Sequence, residues 1–267
     1  MKISCVIPTR DRAGMLATAI ASVLAQDVAG VELLVVDDGS VDGTEELLVR
    51  RFPQLRRLRL PGLGPGPARN AGVAAAGGDV IMFLDSDDLW TSDHVGRLCR
   101  VLRQGYAVAY GTTLNVDRLD GGEFLIPEPD QVCEGDCFAA LLRWCFLVPS
   151  ALAVNRQAFE RVGGFGAQGL GEDWGFALQL AQDHAFGYAG PGEIARRQLH
   201  SGSLCRLQSR ATLSGALQGL RDISWDEAHR PAARARFNQL LAWLAEQEEQ
   251  FSSVQAWYQA LRRDHMA

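Results

Sequence analysis

The sequence lacks the patterns that mark disulfide-rich, zinc-binding and membrane-spanning proteins. Its six cysteines, at positions 5, 99, 133, 137, 145 and 205, include no CxxC pair, so neither a disulfide framework nor a zinc site is predicted. The most apolar long window, 137–154, is interrupted by Arg143 and Pro149 and is shorter than the roughly 20 residues that span a bilayer. No secretory signal pattern opens the sequence. We therefore expect a soluble, cytoplasmic protein without a transmembrane segment, and a peripheral position at the inner face of the membrane stays open.

Positive charge is also scarce. The 267 residues carry 26 Lys and Arg against 32 Asp and Glu, a formal net charge of −6. A nucleic-acid partner is not expected, because such proteins present a basic face or stripe. Local groups can still hold an acidic ligand. With 47% hydrophobic and 22% charged residues, the chain can bury a sizeable core in one large α/β domain or two smaller ones.

The first 112 residues alternate short aliphatic runs with helical patterns. Strands are predicted at 3–7, 31–36, 58–60, 80–84 and 106–111. Between them, apolar residues recur at one-face helical spacing. Continuous aliphatic runs are typical of strands buried on both faces, and helical crossovers between them make the strands parallel. The prediction is an α/β fold with a mostly parallel sheet flanked by helices.

Beyond residue 112 the pattern loosens. Helices are predicted at 136–145, 155–162 and 172–182, with one strand at 151–154. From about 207 to 263 the composition is helical, and the tail is electrically neutral. Self-association through these helices and coverage of a neighbouring site both stay open. The lack of net positive charge argues against a membrane-binding tail.

Three predicted strands end in polar clusters. The clusters are Pro8-Thr9-Arg10-Asp11-Arg12, Asp37-Asp38-Gly39-Ser40 and Asp85-Ser86-Asp87-Asp88. In an open parallel sheet, ligands bind beyond the carboxyl ends of the strands. We therefore expect the three clusters to lie together at one edge of the sheet.

The cluster at 85–88 has two interpretations. Asp85 and Asp87 share a face of an extended segment, and paired carboxylates suit Mg²⁺ or Mn²⁺. An acidic residue before a helix can equally act as an N-cap and nothing more. Three acids directly after a buried aliphatic run favour the metal interpretation.

Asp38 and the segment around 62–69 also each have a binding and a purely structural interpretation. Asp38 either accepts hydrogen bonds from a base or ribose, or shapes the turn before the next helix. The segment 62–67 is not a phosphate loop, because Pro67 stands where GxGxxG requires glycine. A flexible loop leading to a helix at 68–76 is predicted instead. Arg69, in its first turn, can meet a phosphate or a carboxylate, or form a surface salt bridge.

Two further candidates lie in the second half. In Gly171-Glu172-Asp173-Trp174, the acids either favour a helix N-terminus or supply a general base. His200 stands in the polar segment 198–203. It is either a hydrogen-bonded loop residue or a third metal ligand.

Taken in order, these motifs resemble those of family 2 glycosyltransferases. The resemblance is carried by CVIPTRDRA (5–13), ASVLAQ (21–26), ELLVVDDGSVDGT (32–44), ARNAG (68–72), FLDSDD (83–88), VGGF (162–165) and GEDW (171–174). It covers roughly residues 3–205, and the ordered set is far more specific than any single motif. The sequence departs from the family at Asp11, where Asn is common, in the proline-rich loop near 62–66, and in the tail.

The resemblance implies a Rossmann-like, A-type nucleotide-diphospho-sugar transferase fold with a C-terminal helical extension. It implies a catalytic domain at 1–205, with a nucleotide-sugar half to about 112 and an acceptor half from about 113, and an extension at 206–267. By position it assigns nucleotide-sugar binding to Pro8, Thr9, Asp11, Asp38, Arg69, Asp85 and Ser86, binding of Mn²⁺ or Mg²⁺ to Asp87 and His200, and catalysis to Asp173 with Glu172.

The reaction implied is the inverting transfer of a sugar from a nucleoside-diphosphate sugar, with UDP as the first expectation. The acceptor would be a hydroxyl of a carbohydrate, lipid-linked or other molecule in polysaccharide, glycolipid or glycoconjugate synthesis. Two alternatives remain. A nucleotidyltransferase would ordinarily need a triphosphate-binding loop, which the sequence does not show, and the other alternative is a non-catalytic scaffold that binds nucleotide sugars. Neither the sugar nor the acceptor follows from the sequence.

Overall fold

The computed structural model describes residues 1–167, 170–203 and 210–247. The strands are β1 (Ile3–Thr9), β2 (Val31–Asp37), β3 (Arg56–Arg59), β4 (Val80–Phe83), β5 (Leu89–Trp90), β6 (Val108–Asp117), β7 (Glu123–Ile126), β8 (Leu152–Asn155) and β9 (Phe186–Leu199). The helices are α1 (Ala13–Leu24), α2 (Thr44–Arg51), α3 (Pro65–Ala75), α4 (His94–Leu102), α5 (Phe138–Arg143), α6 (Arg156–Val162), α7 (Glu172–Asp183), α8 (Arg210–Arg221) and α9 (Arg230–Ala245). The parts of the predicted helical tail at 207–209 and 248–263 lie outside these residues.

The strands form one sheet in the order β3-β2-β1-β4-β8-β6-β9-β5, with β7 beside β6. The four strands at one side, β3, β2, β1 and β4, are parallel, as predicted. From β8 onward the pairing is mixed, because β8 is antiparallel to both β4 and β6 whereas β9 is parallel to β6. The predicted α/β fold with helices on the sheet is confirmed, and its parallel part is the N-terminal half.

The two faces of the sheet carry separate hydrophobic clusters. Along β1, Ile3, Cys5 and Ile7 pack with α1, α2 and α4, whereas Val6 packs on the other side with α3 and α5 to α9. This alternation follows from the two-residue period of a strand. Both faces of β1 are buried, which explains why its sequence reads as a continuous apolar run.

Helices α8 and α9 share the core of the second face. Leu217 of α8 and Phe237 of α9 are buried in the same cluster as Trp174 of α7. The rings of Trp174 and Phe237 meet edge to face, with centroids 5.6 Å apart. The division of the chain at residue 205 stays a prediction.

Strands β5, β7 and β9 were not among the predicted elements, and β6 continues beyond the predicted end at residue 111 to Asp117. Strand β9 is difficult to predict from the sequence, because it contains Gly190-Pro191-Gly192, which is typical of a turn. Both glycines have positive φ angles, of 87° and 82°, and the register between β6 and β9 shifts at this point. An irregularity of this kind bends a strand without ending it.

Helix α3 begins earlier than predicted. The expected loop before Ala68 is already helical from Pro65. Proline fits the first turn of a helix, because its missing N–H has no partner there in any case and its φ is already helical. The prolines at 65 and 67 therefore start the helix.

No helix within the described ranges combines the length and the apolarity needed to cross a membrane.

Close packing of α3 on the sheet predicts opposite effects for two glycine substitutions. A Cβ on Gly72 would lie 2.3 Å from Cγ1 of Val6 in β1, so Gly72→Ala should lower the free energy of unfolding by about 1–3 kcal/mol. Gly215 is exposed in α8, and a Cβ added there would have no packing neighbour within 4 Å. Gly215→Ala should raise it by about 0.5–1 kcal/mol through helix propensity. Urea denaturation of the two variants checks this, and equal effects of the same sign would contradict the packing argument.

Candidate active site

A cleft of about 460 Å³ opens at the carboxyl ends of the parallel strands. All three polar clusters contribute to its walls, through residues 8–12, Asp38 and residues 85–88. The N-terminus of α7, at 171–173, lines it from the opposite half of the chain, together with Arg197 in β9. The convergence expected from the strand ends is therefore what the fold produces.

The end of β1 forms the first wall. Pro8 and Thr9 are buried, and Oγ1 of Thr9 has no hydrogen-bond partner in the described part of the chain. Asp11 adopts a positive φ of 52°, a conformation that Asp and Asn tolerate better than most residues. Its N–H donates to Oγ of Ser40 at 2.9 Å, and its Oδ1 accepts from the N–H of Val41 at 2.7 Å. Asp11 thus fastens the loop after β1 to the loop after β2.

Asp38 is buried and orders the glycine-rich segment before α3. Its Oδ1 accepts from the N–H of Leu63 and its Oδ2 from the N–H of Gly64, each at 2.7 Å. A carboxylate that receives two backbone amides is well solvated by the protein. Asp38 therefore both orders this loop and lies in the wall of the cleft.

Arg69 is almost fully buried and pairs with two carboxylates. Its guanidinium donates to Oδ1 of Asp85 at 2.5 Å and to Oε1 of Glu172 at 3.0 Å. Its Nε has no partner within the described ranges, and its Cζ lies 5.0 Å from the ring centre of Phe165. Burial alone would lower the pKa of Arg69, but the charges of Asp85 and Glu172 outweigh it and raise the pKa.

The two acids at the start of α7 differ in exposure. Glu172 is buried and paired, whereas Asp173 is partly exposed to the cleft. Burial, and then the neighbouring charge of Asp173, raise the pKa of Glu172 to about 7 against the opposing effect of Arg69. Burial also raises the pKa of Asp173, opposed by the N–H of Trp174 that donates to its Oδ1 at 2.8 Å. Raised pKa values in a cleft make both carboxyls candidates for proton transfer.

Asp87 and His200 come together although 113 residues separate them in the chain. Nε2 of His200 lies 3.0 Å from Oδ2 of Asp87, and the N–H of Gly202 donates to Nδ1 at 3.1 Å. Because that amide can only donate, the neutral ring carries its proton on Nε2. Arg12 lies beside the pair, with Nε 3.7 Å from Oδ2 of Asp87 and Nη2 donating to the carbonyl of Gly202 at 2.7 Å.

Within residues 1–167, 170–203 and 210–247, no group of three or more His, Cys, Asp and Glu side chains is placed to hold a metal ion. The pair Asp87 and His200 nevertheless fits one. Mg²⁺ and Mn²⁺ accept oxygen ligands, Mn²⁺ accepts imidazole as well, and both commonly use few protein ligands with substrate phosphates completing the shell. Coordination by Nε2 requires the other ring tautomer of His200.

The remaining members of the 85–88 turn are buried. Ser86 lines the cleft at 6% exposure. Asp88, which had no assigned role in the sequence, is 1% exposed. Burial, followed by the charges of Asp87 and Asp85, raises the pKa of Asp88, with Arg197 and Ser150 opposing. The acidity of the motif pointed to Asp88, but only the fold connects it with Arg197 and Ser150.

Solved structures with this fold include complexes with nucleotide sugars. TarS of S. aureus, residues 1–349 in complex with UDP-GlcNAc, has a TM-score of 0.70 and 18% identity, covering 92% of this chain and 72% of that one. The mannosyltransferase PcManGT from Pyrobaculum calidifontis, in complex with GDP-Man and Mn²⁺, has a TM-score of 0.62 and 19% identity, covering 100% and 75%. At such identities the likeness establishes the fold.

Sequence relatives carry the family assignment. The succinoglycan biosynthesis protein ExoW of Rhizobium meliloti is 30% identical over 189 residues, which cover 60% of this chain and 57% of ExoW. The chain spans about half the length of the curated relatives it matches, at 53% and 57% of two of them. The sequence profile described as "Glycosyl transferase family 2" matches residues 4–161, more than half of the chain, and the protein belongs to that family.

Proposed function

We propose that this protein transfers a sugar from a nucleoside-diphosphate sugar to an acceptor hydroxyl, with inversion at the anomeric carbon. One observation carries the proposal: the carboxylate of Asp173 opens onto the same cleft as the Asp85–Asp87 turn. The anomeric carbon of a donor bound at the turn would therefore lie in the same cleft as a general base. Family membership supports the reaction class.

The proposed donor is a UDP-sugar. The S. aureus neighbour was solved with UDP-GlcNAc, which supports uridine, whereas the Pyrobaculum neighbour holds GDP-Man. The succinoglycan role of ExoW supports an acceptor in polysaccharide synthesis. A "GalNAc(5)-diNAcBac-PP-undecaprenol beta-1,3-glucosyltransferase" of Campylobacter jejuni, 31% identical over 118 residues, supports a lipid-linked acceptor equally.

On the donor side, we assign the nucleotide to the walls that the parallel strands form. Thr9 offers a buried hydroxyl without a partner in the described chain, and Asp38, which lines the cleft, accepts hydrogen bonds from the backbone of the loop before α3. The other nucleotide-sugar contacts we assign to Pro8, Asp11, Arg69, Asp85 and Ser86, all of which line the cleft.

We assign a divalent cation, Mn²⁺ or Mg²⁺, to Asp87 and His200. When bound there, such a cation would neutralise the negative charge that develops on the departing nucleoside diphosphate. His200 would exchange the hydrogen bond that Nδ1 accepts from Gly202 for a proton on that nitrogen. Arg12, which donates to the carbonyl of Gly202, would still hold this turn in place.

On the acceptor side, Asp173 takes the proton of the attacking hydroxyl. The attack occurs in one displacement, so the configuration of the anomeric carbon inverts. The raised pKa of Asp173 makes it a stronger base than an exposed aspartate, which has a pKa of about 4. Glu172, held by Arg69, fixes the start of α7 and so the position of Asp173.

The proposal predicts selective stabilisation by one nucleotide with a metal ion. Thermal unfolding with UDP, GDP and dTDP, each with and without Mn²⁺, should show a rise in Tm for UDP that depends on Mn²⁺, because a ligand bound to the folded state alone stabilises it. Asp87→Ala should abolish most of this dependence. The absence of any shift in the wild type would contradict the binding of a nucleotide-sugar donor in this cleft.

Asp173→Asn should abolish transfer and leave donor binding intact. The substitution keeps the shape of the side chain and removes the base, so the rate should fall by about 10²–10⁴-fold. The rate is measured as release of the nucleoside diphosphate from the nucleotide sugar with water or a sugar as acceptor. Asp183→Asn, exposed at the other end of α7, is the matched control and should retain activity. Full activity of the Asp173 variant would disprove its role as the base.

The pH dependence of the reaction tests the electrostatics of the two acids. Asp173 must be deprotonated to act, so kcat/KM should rise with pH, and its acid limb should lie above the ordinary aspartate pKa of about 4. The charge of Asp173 raises the pKa of Glu172 to about 7, so Glu172 is still protonated at the pH where Asp173 loses its proton. Glu172→Gln should therefore leave the acid limb in place, because glutamine is neutral like the protonated acid. A clear shift of the limb in this variant would show that Glu172 is already ionised when Asp173 titrates.

A further inference from the structure

Ser150 is a fully buried serine that holds both ends of the 85–88 turn. It lies in a 3₁₀ turn, Pro149–Ala151, just before β8. Its Oγ donates to Oδ2 of Asp88 at 2.6 Å and accepts from the N–H of Asp85 at 3.1 Å. One hydroxyl thereby fixes the first and the last residue of the turn that carries Asp87.

The other oxygen of Asp88 reaches a different segment. Oδ1 of Asp88 accepts from the N–H of Gln198 in β9 at 3.3 Å, two residues before His200. The N–H of Asp88 donates to the carbonyl of Asp85 at 2.9 Å and closes the turn. Asp88 therefore connects the turn that carries Asp87 with the strand that leads to His200.

The surroundings make this connection stiff. Nε1 of Trp90 donates to the carbonyl of Ser150 at 2.8 Å, and the Trp90 ring stacks on His94 with centroids 3.9 Å apart. Nδ1 of His94 in turn lies 2.9 Å from the carbonyl of Ile194 in β9. The 3₁₀ turn, β5, α4 and β9 are thus joined through buried hydrogen bonds and one ring stack.

Asp88 itself is too enclosed to act on a substrate. It is 1% exposed, and both of its oxygens accept hydrogen bonds from the protein. A buried carboxylate is costly unless it is hydrogen-bonded in this way, and the bonds that satisfy Asp88 are those that connect the turn with Ser150 and β9. Groups behind metal ligands commonly set the orientation of those ligands, and their removal weakens metal binding.

We propose that Ser150 and Asp88 are positioning residues that hold Asp87 and His200 at the spacing the divalent cation requires. The inference rests on the proposed function, because it assumes that Asp87 and His200 bind the cation. It adds two residues, from the 3₁₀ turn and from the end of the acidic motif, to which no contact with donor or acceptor is assigned. Their effect passes entirely through the ligands.

The test is Mn²⁺ binding, which needs no acceptor and no turnover. The electron paramagnetic resonance signal of free Mn²⁺ is titrated with protein in the presence of UDP, and with GDP or dTDP if one of these stabilises the wild type instead. Ser150→Ala should weaken Mn²⁺ binding by about tenfold or more, the usual scale for groups behind a metal ligand.

Ser4→Ala is the matched control for loss of stability. Ser4 is also fully buried, and its Oγ likewise donates to a carboxylate, Glu32, and accepts from a backbone N–H, that of Gly78. It lies at the opposite end of β1 from the cleft. Ser4→Ala should lower Tm and leave Mn²⁺ affinity unchanged.

Asp88→Asn and Asp88→Ala separate shape from charge. Asn can still accept from the N–H of Gln198 and can donate to Oγ of Ser150, so Mn²⁺ affinity should stay close to the wild-type value. Asp88→Ala loses both bonds and should behave as Ser150→Ala does. Wild-type Mn²⁺ affinity in Ser150→Ala, or an equal loss in Ser4→Ala, would overturn the inference. A wild type that binds no Mn²⁺ with any of the nucleotides would overturn the assignment of an Mn²⁺ site to Asp87 and His200, and the inference with it.

Discussion

The burial of the Arg69 guanidinium is the constraint on which the cleft depends. A buried cation is tolerated when it is paired and hydrogen-bonded, and loss of one partner typically costs about 3–5 kcal/mol. Arg69 meets this requirement with Asp85, 16 residues away, and Glu172, 103 residues away. The turn after β4 and the start of α7 must therefore both lie beside Arg69, at the start of α3. Phe165 extends the contact, because its ring lies against the guanidinium and its backbone is bound at both N–H and C=O by Asn70.

The two halves of the sheet contribute different things to the same cleft. The parallel strands bring three loops to one edge as a geometric consequence of their direction. The mixed half brings β9 and the 3₁₀ turn before β8 against those loops, and with them Arg197 and Ser150. Neither half forms the cleft alone, since the 85–88 turn is bound by Arg69 of the first half and by Ser150 and Gln198 of the second half. The antiparallel pairing of β4 with β8 is what delivers the 3₁₀ turn to that position.

Much of the first half could be predicted from the sequence, because there the local and the long-range signals agree. Strands buried on both faces are continuous aliphatic runs, and their polar ends mark the cleft. The structure of the second half was harder to predict from the sequence. Strand β9 contains Gly190 and Gly192 at positive φ, and these residues normally indicate a turn. The contacts of Ser150, Asp88 and Gln198 depend on pairing between distant strands, which no local pattern encodes. The start of α7 was identified as acidic, but the partner of Glu172 required the fold.

The charge balance of the cleft links the cation to the donor. The carboxylates that line it are Asp11, Asp38, Asp85, Asp87, Asp88, Glu172 and Asp173, and the arginines that line it are Arg10, Arg12, Arg69 and Arg197. Arg69 is already committed to two of the carboxylates. The raised pKa values of Asp88, Glu172 and Asp173 reflect burial together with negative charge that the arginines do not fully offset.

A diphosphate would add further negative charge to this space, which Coulomb repulsion opposes most strongly where water is excluded. A divalent cation at the proposed site on Asp87 would reverse the sign of that interaction. Because linkage between two ligands is reciprocal, the nucleotide would then strengthen cation binding by the same factor by which the cation strengthens nucleotide binding. The acidity of the cleft is therefore a reason for the two to bind together, and the positions that we propose Ser150 and Asp88 maintain would set how large that coupling can be.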